Sequence, residues 1–483
     1  MLEKLAKQSA IYGISTIVGR LLGYLLTPYF TRIFSPAAYG VITDVYAVIP
    51  FALVLLSMGM ESSYFRFATK AEGEADVQGA MNRLFSTTWG VTSAAAVGFV
   101  ALVMLFINPA CRVMGEAYVQ NPLYIQLVAL IIMFDVAAMI PFVRLRQQGR
   151  AKEYVMLKLL NISLQVGFSI GFGFMGLYSS EFGVGWALVA NLVSTGVTFV
   201  VILFTLRGVK FRADGVLLGA LLVYSLPLLL SGIAATATDF IDRQMIKYII
   251  PEGAMAQLGI YGAVTKIAVM MTLFTQMYRL AAEPFFLSNF KKEEFKETNA
   301  AAMKYYVMVS VLIFLGISLF RNLFALIVGV EYREGVYILP VVLGANIFMG
   351  VWLNLSFWYK REERTSFALY ITLTGLAVAV VSNLVLIPRW GYYGAAWSRF
   401  IAEGAMVAVS YYLNRRFFPT PYDLGRMAEY VALGLGLFYV SEWLSGVGEW
   451  YVVNSLLLGV YLGYAVWREN IDVRGLINSV LRR

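Results

Sequence analysis

The sequence contains no histidine, a single cysteine and few charges. Without histidine, the commonest general base and the usual switch near neutral pH are both absent, which argues against enzymatic chemistry. Cys111 alone cannot close an intramolecular disulfide, and a Cys/His metal site is excluded. Charged residues fill only 14% of the 483 positions, where an ordinary soluble domain has roughly a quarter. What stands in their place is apolar: 60% of the residues are hydrophobic, and the mean hydropathy is +0.71. A chain this apolar cannot present a wetted surface around a globular core. It is an integral membrane protein.

A helix that crosses the ~30 Å hydrocarbon layer needs about 20 mostly apolar residues. Such windows fall near 9–31, 41–62, 84–107, 121–143, 154–178, 182–205, 214–238, 256–280, 301–320, 335–358, 365–387, 391–413, 427–443 and 450–467, fourteen in all. They are continuous rather than alternating, which excludes a membrane barrel. The connections between them leave no room for a soluble catalytic domain. The first window is long and lacks a cleavage pattern, so it reads as a retained helix.

The formal charge of +9 is placed by topology. Counted over alternate connections from the N-terminal tail (Lys4, Lys7) to the C-terminal one (Arg468 to Arg483), Lys and Arg number 28. The intervening loops hold seven, and Arg20, Lys266 and Arg399 fall inside windows. Short basic loops stay in the cytoplasm, so both termini are expected there. The basic charge is therefore not a nucleic-acid footprint.

Two stretches echo each other half a chain apart. Phe34 to Ile42 (FSPAAYGVI) and Ile250 to Gly262 (IPEGAMAQLGIYG) each leave a span, turn at a proline and re-enter at a glycine. Phe182 to Ala187 and Tyr392 to Trp397 form a second pair, again six windows apart. The expected architecture is all-α, with two six-helix bundles in parallel repeat (1–213 and 214–414) and two appended helices (415–483). In transporters built on such repeats, the substrate path runs at the repeat interface.

The chain resembles the polysaccharide (O-antigen type) flippases of the multidrug and lipid-linked-oligosaccharide exporter superfamily. The resemblance lies in Gly19-Arg20-Leu21-Leu22-Gly23 through Pro28 and Thr31-Arg32 to Tyr39-Gly40, and in Tyr224-Ser225-Leu226-Pro227 with Asp242-Arg243. It continues in Leu258-Gly259-Ile260-Tyr261-Gly262 and Tyr393-Gly394-Ala395-Ala396. It implies alternating access in a bacterial inner membrane, with an undecaprenyl-pyrophosphate-linked glycan as cargo. Membrane lipids, and a glycan polymerase or glycosyltransferases, are the implied partners. A lipid II carrier and a cation-coupled drug antiporter of the same superfamily are the alternatives.

An ionisable residue inside the membrane is a functional candidate by default. Arg20 and Lys266 have no acid one helical turn away, and together they suggest an anion-binding cavity that grips pyrophosphate. Arg279 and Arg399 complete the candidate set, although Glu283 and Glu403 stand four residues on, where a structural pair explains each arginine equally well. Asp44, Glu61 and Asp135 either pair with cations or bind the Na+ or H+ that drives the cycle. No cofactor is expected. Most of the aromatics read as interfacial belts.

Overall fold

In a computed structural model, residues 23–288, 294–362, 364, 366–444 and 450–470 are described, and among them every regular element is a helix. Among the described residues ten helices are long and apolar enough to cross a membrane, or eleven if one bent pair counts as a single span. The expected windows at 391–413 and 427–443 are also helical, with 26 and 21 residues, although less apolar. Most of window 9–31 lies outside the described residues. The chain is a multi-pass membrane protein.

Contacts divide the chain into two compact units, Met1–Gly259 and Ile260–Arg483. The repeat expected from the sequence has its boundary at 213, a division of a different kind. The difference lies in one 35-residue helix, Gly215–Ile249, which packs on helices of the first unit.

In the first unit the described helices are α1 (Leu26–Ile33), α2 (Pro36–Ser57), α3 (Met60–Ala71), α4 (Val77–Leu105), α5 (Ile107–Met114), α6 (Glu116–Gln120), α7 (Leu123–Gln147), α8 (Ala151–Phe174), α9 (Gly185–Leu203) and α10 (Gly215–Ile249). The central one is α7, packed between α4 and α9, with α8 behind α9 and α10 against α2. Polar caps start several of them. Ser35 accepts from the Ala38 N–H before Pro36 in the first turn of α2, Asp76 caps α4, and Asp214 accepts from Val216 and Leu217 at the start of α10. Inside the helices, Thr88, Thr92 and Thr198 donate back to carbonyls one turn earlier at 2.7–3.0 Å, which leaves their hydroxyls satisfied without water.

Helix α11 (Ala254–Thr265) begins in the first unit and runs into the second. The second unit continues with α12 (Val269–Ser288), α13 (Phe295–Leu319), α14 (Arg321–Phe324), α15 (Leu339–Arg361), α16 (Ser366–Trp390), α17 (Tyr392–Phe417), α18 (Leu424–Leu444) and α19 (Trp450–Arg468). Helix α17 packs on α15 and α16, while α13 carries α15 on one side and α18 with α19 on the other.

Buried polar contacts tie the last two helices down. Near one end, Arg321 grips Glu442 with two donors at 2.6 and 2.9 Å, and Asn454 joins Ser441 to the Leu319 carbonyl. Near the other, the buried carboxylate of Glu469 accepts from Lys304, from Arg426 at 3.1 Å and from Tyr430 at 2.7 Å. Burial alone would push this carboxyl up, but the hydrogen bonds from Lys304, Tyr430 and Arg426 outweigh it and hold it below the usual carboxylate range. A depressed carboxylate stabilises the fold above its unfolded pKa of ~4.3, and that stabilisation disappears as the pH falls through the folded value. Glu469→Gln should therefore melt lower than the parent at pH 7, and the gap should close on acidification below about pH 4. Thermal unfolding across pH reads both effects; a gap independent of pH would refute the ionic reading.

Candidate functional site

The first unit holds a cavity of about 500 Å³ between α2, α3, α7 and α8. Its polar lining is Ser57, Glu61, Asp135, Arg146, Tyr154, Lys158 and Asn161, and its apolar wall includes Met139 and Phe142.

A break in the chain places Glu61. Met58 and Gly59 both adopt left-handed conformations (φ 49° and 69°), ending α2 and starting α3. A Cβ on Gly59 would approach the Ser225 carbonyl oxygen at 2.8 Å, so glycine serves here for both its φ and its lack of a side chain. Glu61 thus falls in the first turn of α3, where the helix dipole favours an anion. It accepts from Arg146 Nη1 at 2.5 Å, with both side chains about two-fifths exposed. Arg146 also lies over the Phe65 ring, 5.0 Å from its centroid.

Helix periodicity places the others. On α8, Tyr154, Lys158, Asn161 and Gln165 recur at spacings of four, three and four, forming one polar face on an apolar helix. The last two join the bundle's interior: Asn161 donates to Thr198 at 3.2 Å, and Gln165 donates to the Tyr46 hydroxyl at 2.8 Å. Lys158 lies 4.3 Å from the Phe142 ring centroid. Among the described residues its ammonium donates no hydrogen bond and closes no ion pair, and neither does the carboxylate of Asp135 accept one. The two interact across the cavity without meeting. The site therefore carries two acids and two bases. It can offer donors to an anion at Arg146 and Lys158, and oxygens to a proton or cation at Glu61 and Asp135.

Of the three acids expected from the sequence, the structure brings Glu61 and Asp135 together and sets Asp44 apart. Asp44 is wholly buried on α2, with Lys247 Nζ at 2.5 Å, Gln244 Nε2 at 2.7 Å and the Tyr118 hydroxyl at 2.7 Å. Its oxygens already accept from three donors.

The expected cations also separate. Arg20 lies outside the described residues. Lys266 is expected near the middle of a span, but it stands in a break between α11 and α12, where the axis bends by 50°. Tight turns, with the Ile267 N–H on the Val264 carbonyl at 2.9 Å and the Val269 N–H on that of Lys266 at 3.3 Å, replace helical bonding there. Arg279 pairs with Glu283 at 3.1 Å, as the spacing suggests, and Lys360 adds a second donor to Glu283 at 2.8 Å. Arg399 is half-buried one turn from the buried Glu403 on α17. Sequence reasoning passed over Arg146 and Lys158, which it counted among loop charges; the polar spacing along α8 carried the signal.

The described residues thus form a polytopic all-helical membrane protein whose first unit has a charged cavity opening among its helices. Residues 5–290 match the model of the family described as polysaccharide biosynthesis protein, and the chain belongs to that family. No curated protein matches the chain. Its fold is similar to that of a lipid II flippase in an inward closed conformation, with a TM-score of 0.76 at 12% identity, covering 96% of this chain and 100% of that one. It is also similar to an inward-facing multidrug resistance transporter of the MATE family, of the MOP superfamily (TM-score 0.66, 15% identity, 86% of this chain and 96% of that one). A third similar structure is a MATE family multidrug resistance transporter in an outward-facing conformation, with a TM-score of 0.58 at 17% identity, covering 88% of this chain and 97% of that one.

Proposed function

We propose that the protein is a flippase that carries an undecaprenyl-pyrophosphate-linked oligosaccharide from the cytoplasmic to the outer leaflet of the bacterial inner membrane, by alternating access, for cell-surface polysaccharide biosynthesis. The family match over residues 5–290 is the observation that carries the cargo class. Supporting it is the pair of basic residues facing the cavity, Arg146 and Lys158, which suits an anionic cargo better than the cationic one of a drug antiporter. The Lys/Arg asymmetry supports a cytoplasmic position for both termini and for the α7–α8 turn beside that cavity. Glu61 and Asp135 are the acids available for H+ or Na+ coupling. A lipid II cargo is the second reading, favoured by the similarity to the lipid II flippase fold.

Deleting the gene should make lipid-linked oligosaccharide accumulate on the cytoplasmic leaflet, assayed by lipid extraction and leaflet-selective labelling. Accumulation of lipid II in its place would select the second reading. A change in dye efflux with no lipid accumulating would defeat both.

A further inference from the structure

We propose that Arg146 and Lys158 dock the pyrophosphate of the lipid-linked cargo, and that Glu61 is a resident competitor that the incoming phosphate displaces from Arg146. The inference rests on the flippase reading for its ligand class.

Four observations converge on it. The Lys158 ammonium sits in a membrane-spanning helix and faces the cavity with no hydrogen-bond partner among the described residues. Arg146 is already satisfied, but by a single short contact from Glu61, in a half-exposed geometry that costs little to open. Lys158 is attracted by Glu61 and Asp135 and repelled by Arg146. A dianion lying between the two cations would turn that repulsion into two attractions. Finally, Glu61 stands two residues beyond the left-handed pair Met58–Gly59, in the first turn of α3, so its carboxylate belongs to a helix set off from α2 by a break.

The chemistry favours exchange over permanent pairing. A carboxylate and a phosphate compete for the same planar guanidinium fork, and phosphate offers more oxygens and more charge. Empty, the cavity is charge-balanced and its arginine is not left bare in the membrane. Loaded, the pyrophosphate takes Arg146 and Lys158, while Glu61 is released to take up a proton or cation. Binding and release of cargo are thereby coupled to the charge state of Glu61, with no covalent step.

The competitor role makes a prediction opposite to that of a simple polar wall: removing an acid should tighten anion binding. The protein in lipid nanodiscs is titrated with inorganic pyrophosphate and, separately, with undecaprenyl pyrophosphate bearing no sugar. Glu61→Gln should bind the lipid pyrophosphate about tenfold more tightly than the parent, and Arg146→Gln and Lys158→Gln about tenfold more weakly. The double variant Glu61→Gln/Arg146→Gln removes the ion pair as a unit and should bind like Arg146→Gln, which keeps the test alive if one single variant fails to fold. Unchanged or weaker binding by Glu61→Gln would overturn the competitor. Tight binding of free pyrophosphate without binding of the lipid form would overturn headgroup docking. Because the probe carries no glycan, this outcome is independent of whether lipid-linked oligosaccharide accumulates in the deletion strain.

Discussion

Lys247→Met is expected to destabilise the protein by about 3–5 kcal/mol, because it strands a wholly buried carboxylate in the first unit. Asp44 and Lys247 have side-chain exposures of 0% and 5%, so neither charge has water to fall back on. The Tyr118 hydroxyl and the Gln244 amide would still donate to Asp44, but neither supplies a countercharge. The ammonium of Lys247 is further held between two rings, 5.0 Å from the Tyr118 centroid and 5.1 Å from that of Tyr248. Asp44→Asn should be damaging for the mirror-image reason, leaving a buried ammonium among aromatics. The double variant Asp44→Asn/Lys247→Met removes both charges together and should recover at least half of the loss, since most of the damage in each single variant is an uncompensated ion. Thermal unfolding of the four proteins in detergent closes the cycle. Strictly additive losses would show that the two residues do not act as a pair.

That ion pair also marks the limit of what the sequence discloses. The partners are 203 positions apart, and nothing near Asp44 in the chain announces a lysine. Asp44 and Glu61 fall in the same apolar stretch and look alike as candidates. Only folding separates the acid sealed by three donors from the acid facing a cavity. The break at Lys266 escaped the sequence for a different reason. Lys266-Ile267-Ala268 contains neither proline nor glycine, so no local signal ends the helix at Thr265. The pair Arg279/Glu283 was legible because i,i+4 spacing alone fixes it. Long apolar windows were legible for the same kind of reason: the bilayer imposes one length on every crossing. The polar face of α8 was legible in principle. A positive charge near a window's edge satisfies two rules at once, loop charge and helix periodicity, and the first hid the second.

The echo between residues 34–42 and 250–262 carries the second large effect, because in the fold the two segments touch. A Cβ on Gly40 would lie 2.0 Å from the carbonyl oxygen of Met255, and one on Gly259 would lie 2.0 Å from that of Pro36. The relation is reciprocal: each glycine meets the residue four before the other. Contact at this distance is made by backbone on one side and a missing side chain on the other. A methyl group there cannot rotate away, and the facing atom belongs to a main-chain carbonyl that cannot change rotamer. Gly40→Ala and Gly259→Ala should each force the helices apart and cost at least the ~1–3 kcal/mol typical of overpacking. Gly98 provides the contrast, since it lies within α4 with nothing within 4 Å of an added Cβ. Gly98→Ala meets no such obstacle and should gain up to about 1 kcal/mol from helix propensity. Unfolding temperatures of the three variants in one detergent decide the matter. Three equal shifts would mean that the crossing of α2 and α11 yields freely, and that its glycines are there for some reason other than close approach.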